Sequence, residues 1–263
     1  MRQDPSHSLR TTPTPSWRSS TEDDIILATR HVTKSFGSER GHDRIPVLRG
    51  IDMEVPRGAL VSIVGPSGCG KSTLLFCLSG LDRPDSGELL GFDADMLSFS
   101  PAQLARLYRT RIGFVFQSSN LVGSLTAWEN TILPTSLRRG KVDEDRVRGV
   151  LTDLGILESA GVRASDLSNG QQQRVALARV LIQQPEVIFA DEPTGALDSS
   201  ASETVLDLLC RYPGDDRSVV MVTHDIAAAC RSDLVFVMRD GVMTHRVTQP
   251  SPEFVLAAME ENL

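Results

Sequence analysis

Short apolar segments alternate with helical patterns along most of this chain. Several of these segments are rich in β-branched residues and contain no polar alternation, which predicts strands of a sheet that is covered on both faces. The predicted strands are residues 25–32, 51–55, 60–64, 112–116, 187–191, 218–223 and 234–238. After the last of them, Asp240 and Gly241 form a turn signal before residues 242–247, which predicts a hairpin. The alternation predicts an α/β fold.

A long interval with helical spacing separates the strands at residues 112–116 and 187–191. The spacing is clearest at residues 142–157 and 171–182, which predicts a mostly helical subdomain inserted into the α/β core. Residues 1–24 are rich in Ser, Thr, Pro and Arg and contain little to bury, so we expect a disordered segment there. Residues 251–263 are expected to form a short C-terminal tail after a domain at residues 25–250.

Composition excludes several classes of protein. The chain has 263 residues and a formal net charge of -7, so composition gives no argument for nucleic-acid binding, although a local basic patch is compatible with this average. Its four cysteines lack the paired spacing of zinc or redox sites, which favours a reducing compartment. No window approaches the ~18 consecutive apolar residues of a membrane helix. We therefore expect any membrane role to come through a partner.

A glycine-rich segment follows the strand at residues 60–64 and leads into a helical pattern. It matches GxxxxGK[ST] in the strand–loop–helix context that this phosphate-binding motif requires. Its residues are Gly65, Pro66, Ser67, Gly68, Cys69, Gly70, Lys71, Ser72 and Thr73. The backbone N–H groups and the helix N-terminus favour a polyphosphate. Lys71 is expected to reach its β- and γ-phosphates, and the Ser72 hydroxyl is expected to ligate Mg²⁺.

A pair of carboxylates ends the strand at residues 187–191. Asp191 and Glu192 emerge at the carboxyl edge of the predicted sheet, where ligands of open α/β sheets bind. Asp191 is expected to hold Mg²⁺, directly or through water. Glu192 is the candidate base that deprotonates the water attacking the γ-phosphate. Adjacent surface acids are common, so this interpretation depends on the Lys71 loop.

The segment Leu167-Ser168-Asn169-Gly170-Gln171 resembles the LSGGQ signature of the ATP-binding-cassette family. It lies 171 - 71 = 100 residues beyond the P-loop lysine and just before the acidic strand. Ser168 is expected to cap a helix that starts near Gly170 and leaves N–H groups free for an anion. Asn169 departs from the usual glycine, and we expect it to tolerate a left-handed backbone there.

The resemblance implies a P-loop NTPase core, a RecA-like mixed sheet with flanking helices, an antiparallel β subdomain and a helical insert at about residues 118–183. It implies that Ser168, Asn169, Gly170 and Gln171 meet ATP held by a second copy, in a head-to-tail dimer. ATP and Mg²⁺ are the implied ligands.

Further residues match the family one by one. Gln117 resembles the Q-loop glutamine that ligates Mg²⁺ and links nucleotide state to the helical subdomain. Asp198 lies in the loop that crosses the dimer interface, and His224 matches the switch histidine beside the γ-phosphate. Phe36 stands where an aromatic ring stacks on adenine, although burial in the core is an alternative for this side chain.

The residues at 113–117, 125–130 and 190–195 resemble the branch of macrolide-exporting and lipoprotein-releasing ATPases. This implies a subunit at the cytoplasmic face of the membrane that drives a separate permease for peptides, lipoproteins or drugs. Residues 121–125 and Trp128 are candidate permease contacts, and burial within the insert is the alternative. A role in cell-wall remodelling or division, as in one relative, remains a second function. A soluble P-loop enzyme such as a small-molecule kinase is a third.

Overall fold

The computed structural model describes residues 24–37, 44–138, 140–195, 197–214 and 216–260. The strands are β1 (Ile25–Phe36), β2 (Ile45–Pro56), β3 (Leu60–Val64), β4 (Ser86–Gly91), β5 (Ala94–Asp95), β6 (Ile112–Val115), β7 (Val187–Asp191), β8 (Ser218–Val222), β9 (Leu234–Arg239) and β10 (Val242–Thr248). The helices are α1 (Lys71–Ser79), α2 (Pro101–Thr110), α3 (Ala127–Leu137), α4 (Glu144–Asp153), α5 (Asn169–Gln183), α6 (Ser199–Arg211), α7 (Ile226–Ala229) and α8 (Pro252–Glu260).

The larger sheet carries the continuous apolar segments. Its strand order is β10-β9-β3-β8-β7-β6, and the pairs β9–β3, β3–β8, β8–β7 and β7–β6 are all parallel. Every residue of β3, β7 and β8 is buried, as expected for strands that have side chains packed on both faces. Because these strands run in one direction, their carboxyl ends share one edge of the sheet.

The smaller sheet is antiparallel and has the order β2-β1-β4-β5. The sequence pattern predicted β1 and β2 in part and missed β4 and β5. The β4 segment SGELLG has two glycines and an irregular pattern of burial, and its strand conformation comes from pairing with β1. Phe36 ends β1 and pairs with Ile45, which begins β2. The loop expected at residues 37–45 lies largely outside the described residues.

Helices α3, α4 and α5 form the helical insert and lie within residues 118–183. Val147, Leu151, Val175, Leu177 and Ala178 are buried in its shared core. Thr126 and Ser168 cap α3 and α5 through capping boxes, each closed by a Glu or Gln three residues later. The insert therefore begins both helices at positions that the local sequence specifies.

The end of the chain differs from the expectation. Residues 251–263 were expected to form a short tail, but Pro252–Glu260 form helix α8. Val255 and Ala258, three residues apart, are buried against β9 and α7 in a small third core. The hairpin expected before α8 is present, since Asp240 and Gly241 both have the positive φ of a type I′ turn. The expectation of disorder at residues 1–24 falls almost entirely on residues outside the described ranges.

Among the described residues, no helix is long and apolar enough to cross a membrane.

Candidate functional site: a phosphate cradle with a signature helix

Four strand ends bring the candidate residues to one edge of the larger sheet. The glycine-rich loop follows β3, His224 follows β8, Asp191 and Glu192 end β7, and Gln117 follows β6. Strand β8 lies between β3 and β7 in the sheet, so the loop and the carboxylates flank His224. The edge gathers residues from four separate parts of the sequence.

The loop after β3 is packed so closely that two of its glycines have no room for a side chain. A Cβ atom on Gly65 would lie 2.0 Å from the carbonyl oxygen of Met238, and one on Gly70 would lie 2.9 Å from that of Val47. Gly70 has a φ of 106° and is the N-cap of α1, with no side chain capping the helix. Six other helices instead begin at a Ser, Thr or Asp whose side chain accepts a backbone N–H: α2, α3, α4, α5, α6 and α7. Helix α1 therefore begins without a side-chain cap in a tightly packed loop, and its first N–H groups suit a phosphate.

Lys71 is buried at the first position of α1. Its ammonium group donates to the carbonyl oxygens of Gly65 and Pro66, both at 2.9 Å. The side chain thus folds back along its own loop, beside the helix N-terminus. A cation in this place adds to the positive end of the helix and favours an anionic ligand in the cradle.

The residues expected to hold Mg²⁺ fit that ion chemically. The Ser72 hydroxyl donates to Oδ1 of Asp191 over 2.9 Å, so two oxygen ligands already lie together. Burial raises the pKa of Asp191, the negative charge of Glu192 raises it further, and the Ser72 hydrogen bond and Lys71 oppose the shift. A buried carboxylate whose charged form is disfavoured is stabilised by a bound cation.

Glu192 and His224 form a hydrogen-bonded pair at the end of the acidic strand. Nδ1 of His224 lies 2.8 Å from Oε2 of Glu192, and the carboxylate is 16% exposed whereas the imidazole is 70% exposed. Glu192 has a φ of 49°, an unusual left-handed backbone for this residue type. Its N–H bonds to the carbonyl of Val222 at 2.9 Å, and its carbonyl accepts the N–H of Gly195 at 3.1 Å. The backbone turn aims the carboxylate across the strand end toward His224.

Gln117 lies at the start of an exposed segment after β6, and its side chain is exposed. The ring centre of the preceding residue, Phe116, lies 6.4 Å from that of Phe76 on α1. The backbone carbonyl of Phe116 accepts a hydrogen bond from the side-chain amide of Gln173 on α5 at 2.9 Å. The residue before Gln117 therefore contacts both the helix of the cradle and the helix of the signature. Reasoning from sequence missed Gln173, although a polar residue on the apolar face of a predicted helix was a signal, and the structure shows that it is buried.

The signature segment forms the N-terminus of α5. The Ser168 hydroxyl oxygen accepts a hydrogen bond from the backbone N–H of Gln171, and the side-chain oxygen of Gln171 accepts one from the backbone N–H of Ser168. The helix starts at Asn169, one residue before the expected start. The tolerance of Asn169 for a left-handed backbone is not needed here, because this residue is in the first helical turn and has no positive φ. The backbone N–H groups of Asn169 and Gly170 lie at the open end of this exposed helix turn.

Two residues that were expected to contact ATP, Asp198 and Phe36, lie outside the group of residues at the carboxyl edge of the larger sheet. Asp198 accepts the N–H of Ala201 at 2.8 Å and caps α6, and the neighbouring Leu197 approaches the position of a Cβ on Gly170 to 3.5 Å. Phe36 is 47% exposed, so it is not a core residue, and the ammonium of Lys34 lies 5.3 Å from the centre of its ring. Its strand pairs with β2, whose Val47 abuts the cradle at Gly70.

Comparison with curated proteins finds relatives over most of the chain. The lipoprotein-releasing system ATP-binding protein LolD of Porphyromonas gingivalis is 40% identical over 225 residues, covering 83% of this chain and 99% of LolD. The macrolide export ATP-binding/permease protein MacB of Neisseria gonorrhoeae is 39% identical over 218 residues, covering 82% of this chain and 34% of MacB. The chain thus spans about a third of the length of the MacB relatives.

Solved structures and a family model agree with these matches. The dimeric structure of a post-hydrolysis state of the ATP-binding cassette MJ0796, bound to ADP and Pi, matches with a TM-score of 0.79 and 36% identity, over 86% of this chain and 100% of that one. The fold is that of an ATP-binding cassette, with its antiparallel β subdomain and helical insertion. Residues 48–195 match the family model described as ABC transporter. The chain belongs to the ABC transporter family, as an ATP-binding domain.

Proposed function

We propose that this chain binds and hydrolyses ATP as one of two identical copies, and that hydrolysis drives a separate membrane permease. The observation that carries the proposal is the assembly at one sheet edge of an uncapped helix N-terminus with Lys71, the Ser72–Asp191 pair and the Glu192–His224 pair. This assembly supports the binding of phosphate, a divalent cation and an attacking water at one edge of the sheet.

The residues of the cradle bind and orient the triphosphate. Lys71 exchanges its two carbonyl partners for the β- and γ-phosphates, which are stronger acceptors because they are charged. Ser72, Asp191 and Gln117 would hold Mg²⁺, which supplies charge neutralisation between the phosphates. The exposed ring of Phe36 offers a face for adenine at the edge of the smaller sheet.

Glu192 and His224 act on the attacking water. The water oxygen forms a bond to the γ-phosphorus as the bond to the ADP oxygen breaks, and the released proton passes to Glu192. His224 holds the carboxylate through its 2.8 Å hydrogen bond and is exposed enough to reach the γ-phosphate. Glu192 thus accepts the proton, and His224 orients the carboxylate of Glu192.

A second copy completes each site. Ser168, Asn169, Gly170 and Gln171 form an exposed helix end that has satisfied its own cap and still presents N–H groups to solvent. Such an end favours an anion. The γ-phosphate held by the facing copy is that anion, with Asp198 close to the interface. The dimeric state of MJ0796 supports this arrangement.

A permease helix docks on the helical insert at the cytoplasmic face of the membrane. Leu121 and Trp128, the candidate contacts, pack against the core of the insert and are half-buried, which favours the alternative of burial. A groove of about 320 Å³ lies nearby between α2, α3 and α5. Its lining combines apolar and cationic side chains: Tyr108, Leu133, Pro134, Leu137, Arg109 and Arg138. Leu137 is 77% exposed, so this groove suits an amphipathic helix that carries acidic residues. The names of the relatives support export as the direction of transport.

The solution mass of a Glu192→Gln variant tests the proposal. The substitution keeps the shape of the side chain but removes the base, so we expect ATP binding to persist while turnover falls by ~100-fold or more. Light scattering should then detect a dimer with Mg-ATP and a monomer with ADP.

The control is Glu203→Gln, an exposed glutamate on α6, which should retain turnover. Near-normal hydrolysis by Glu192→Gln would place the base elsewhere. A monomer with ATP bound would contradict the paired arrangement in the isolated protein.

A further inference from the structure

The exposed segment after β6 is fastened to helix α5 at several points. Phe116 accepts the amide of Gln173, as described above, and the next contacts involve Ser119 and Asn120. The Ser119 hydroxyl bonds to Oε1 of Gln172 at 3.1 Å. The guanidinium of Arg179 donates to the carbonyl oxygens of Asn120 at 2.9 Å and Ser119 at 3.2 Å. Contacts on both sides of Gln117 thus come from one helix.

Gln172 bonds in two directions. Its Oε1 meets Ser119, while its Nε2 donates to the carbonyl oxygens of Ala164 at 3.0 Å and Leu167 at 3.1 Å. Leu167 directly precedes the cap residue Ser168. One amide side chain therefore joins the Gln117 segment to the backbone that leads into the signature.

Arg179 makes the attachment stiff. Its side chain is partly buried, and burial lowers the pKa of the guanidinium below its usual range. A partly buried cation that binds two carbonyl oxygens is costly to detach, because hydrogen bonds from a charged group are stronger than those between neutral groups. The segment and α5 are therefore expected to move as one piece.

We propose that Gln172 is a positioning residue that transmits movement of the Gln117 segment to the signature at residues 168–171. The inference rests on the proposed function and adds a path by which a nucleotide bound in the cradle influences the signature. Nucleotide bound in the cradle of one copy displaces Gln117, and Ser119 carries that displacement through Gln172 to the helix end that meets the nucleotide of the other copy. The two ATP sites of a dimer are thereby coupled.

ATP hydrolysis by Ser119→Ala, Gln172→Leu and the double variant tests this route, with ATP concentration varied. We expect each single variant to lower the Hill coefficient toward one and kcat by about threefold to tenfold, with an unchanged Kd for ATP. The double variant should be no worse than Gln172→Leu, because both changes interrupt the same connection.

Ser118→Ala is the matched control, since Ser118 lies in the same segment but bonds locally to Asn120 at 3.2 Å. It should retain the parent's Hill coefficient, kcat and thermal unfolding. Parental cooperativity in Ser119→Ala, additive losses in the double variant, or equal losses in Ser118→Ala would each overturn the inference while leaving the ATPase proposal intact. A parent protein without hydrolysis would overturn both, and a parent with a Hill coefficient of one would overturn the coupling alone. Ser119→Ala removes a single oxygen, so its outcome stands even if Gln172→Leu unfolds.

Discussion

Two helix N-termini that we propose to bind phosphate, those of α1 and α5, are built in opposite ways. Helix α1 starts at Gly70 with no side-chain cap and lies within a loop closed by Lys71. Helix α5 starts with a complete capping box at Ser168 and faces solvent. The first end has unsatisfied donors in a packed enclosure, and the second is stable by itself.

The glycines at the two ends differ in the same way. Packing within the chain requires Gly65, since a Cβ there would overlap the carbonyl oxygen of Met238. A Cβ on Gly170 would meet Leu197 at the ordinary contact distance of 3.5 Å. Packing among the described residues therefore does not require glycine at residue 170, whereas in the proposed dimer a side chain there would meet the facing copy.

Replacement of Lys71 by Ala should have the largest effect, because it removes the only lysine of the cradle. We expect ATPase activity to fall by ~100-fold or more and ATP affinity to weaken, as charge stabilisation of the transferred phosphoryl group is lost. Steady-state hydrolysis and equilibrium nucleotide binding measure the two effects. Lys141→Ala, at an exposed lysine of the insert, serves as the control and should retain both. A Lys71→Ala protein with a parental kcat would mean that the cradle works without its cation.

Alanine at Gly65 and at Gly170 separates the two ends. Gly65→Ala should lower the free energy of unfolding by about 2 kcal/mol or more, because the backbone must shift to admit the new methyl group. Gly170→Ala should unfold like the parent and bind ATP as well, yet hydrolyse it about tenfold more slowly, since the methyl group separates the facing surfaces. Chemical denaturation and ATPase assays distinguish them. Equal destabilisation by both variants would contradict this distinction, because glycine at residue 170 would then also be required for the folding of a single chain.

Restoration of the usual signature by Asn169→Gly should have the smallest effect. Asn169 is in a helical conformation, so glycine relieves no backbone strain and loses only a few tenths of a kcal/mol of helix propensity. We expect ATPase activity within about twofold of the parent, measured at saturating ATP. A large gain in activity would indicate that the Asn169 side chain obstructs closure of the dimer.

Local sequence was sufficient for much of the fold and of the candidate site. The bounds of β3 and β7 agree with the apolar segments, because a continuous apolar run has no solvent-facing alternative in a covered sheet. Ser168 was identified as a cap because its partner is a backbone N–H only three residues later. The helix begins at Asn169 rather than near Gly170. Strand β4 was missed because its conformation depends on pairing with β1, which lies more than 50 residues earlier along the chain, and β5 was missed because it pairs in turn with β4.

The sequence by itself determined the identity of the chemical groups: a glycine loop with Lys71 and Ser72, a strand ending in two acids, and a capped helix at the signature. These features depend on neighbours within a few residues, so a local pattern carries them. The tertiary structure decided how the groups meet. The left-handed backbone of Glu192, its bond to His224 and the link from Ser119 through Gln172 to Leu167 all depend on packing between elements distant in sequence, and no local pattern contains that information.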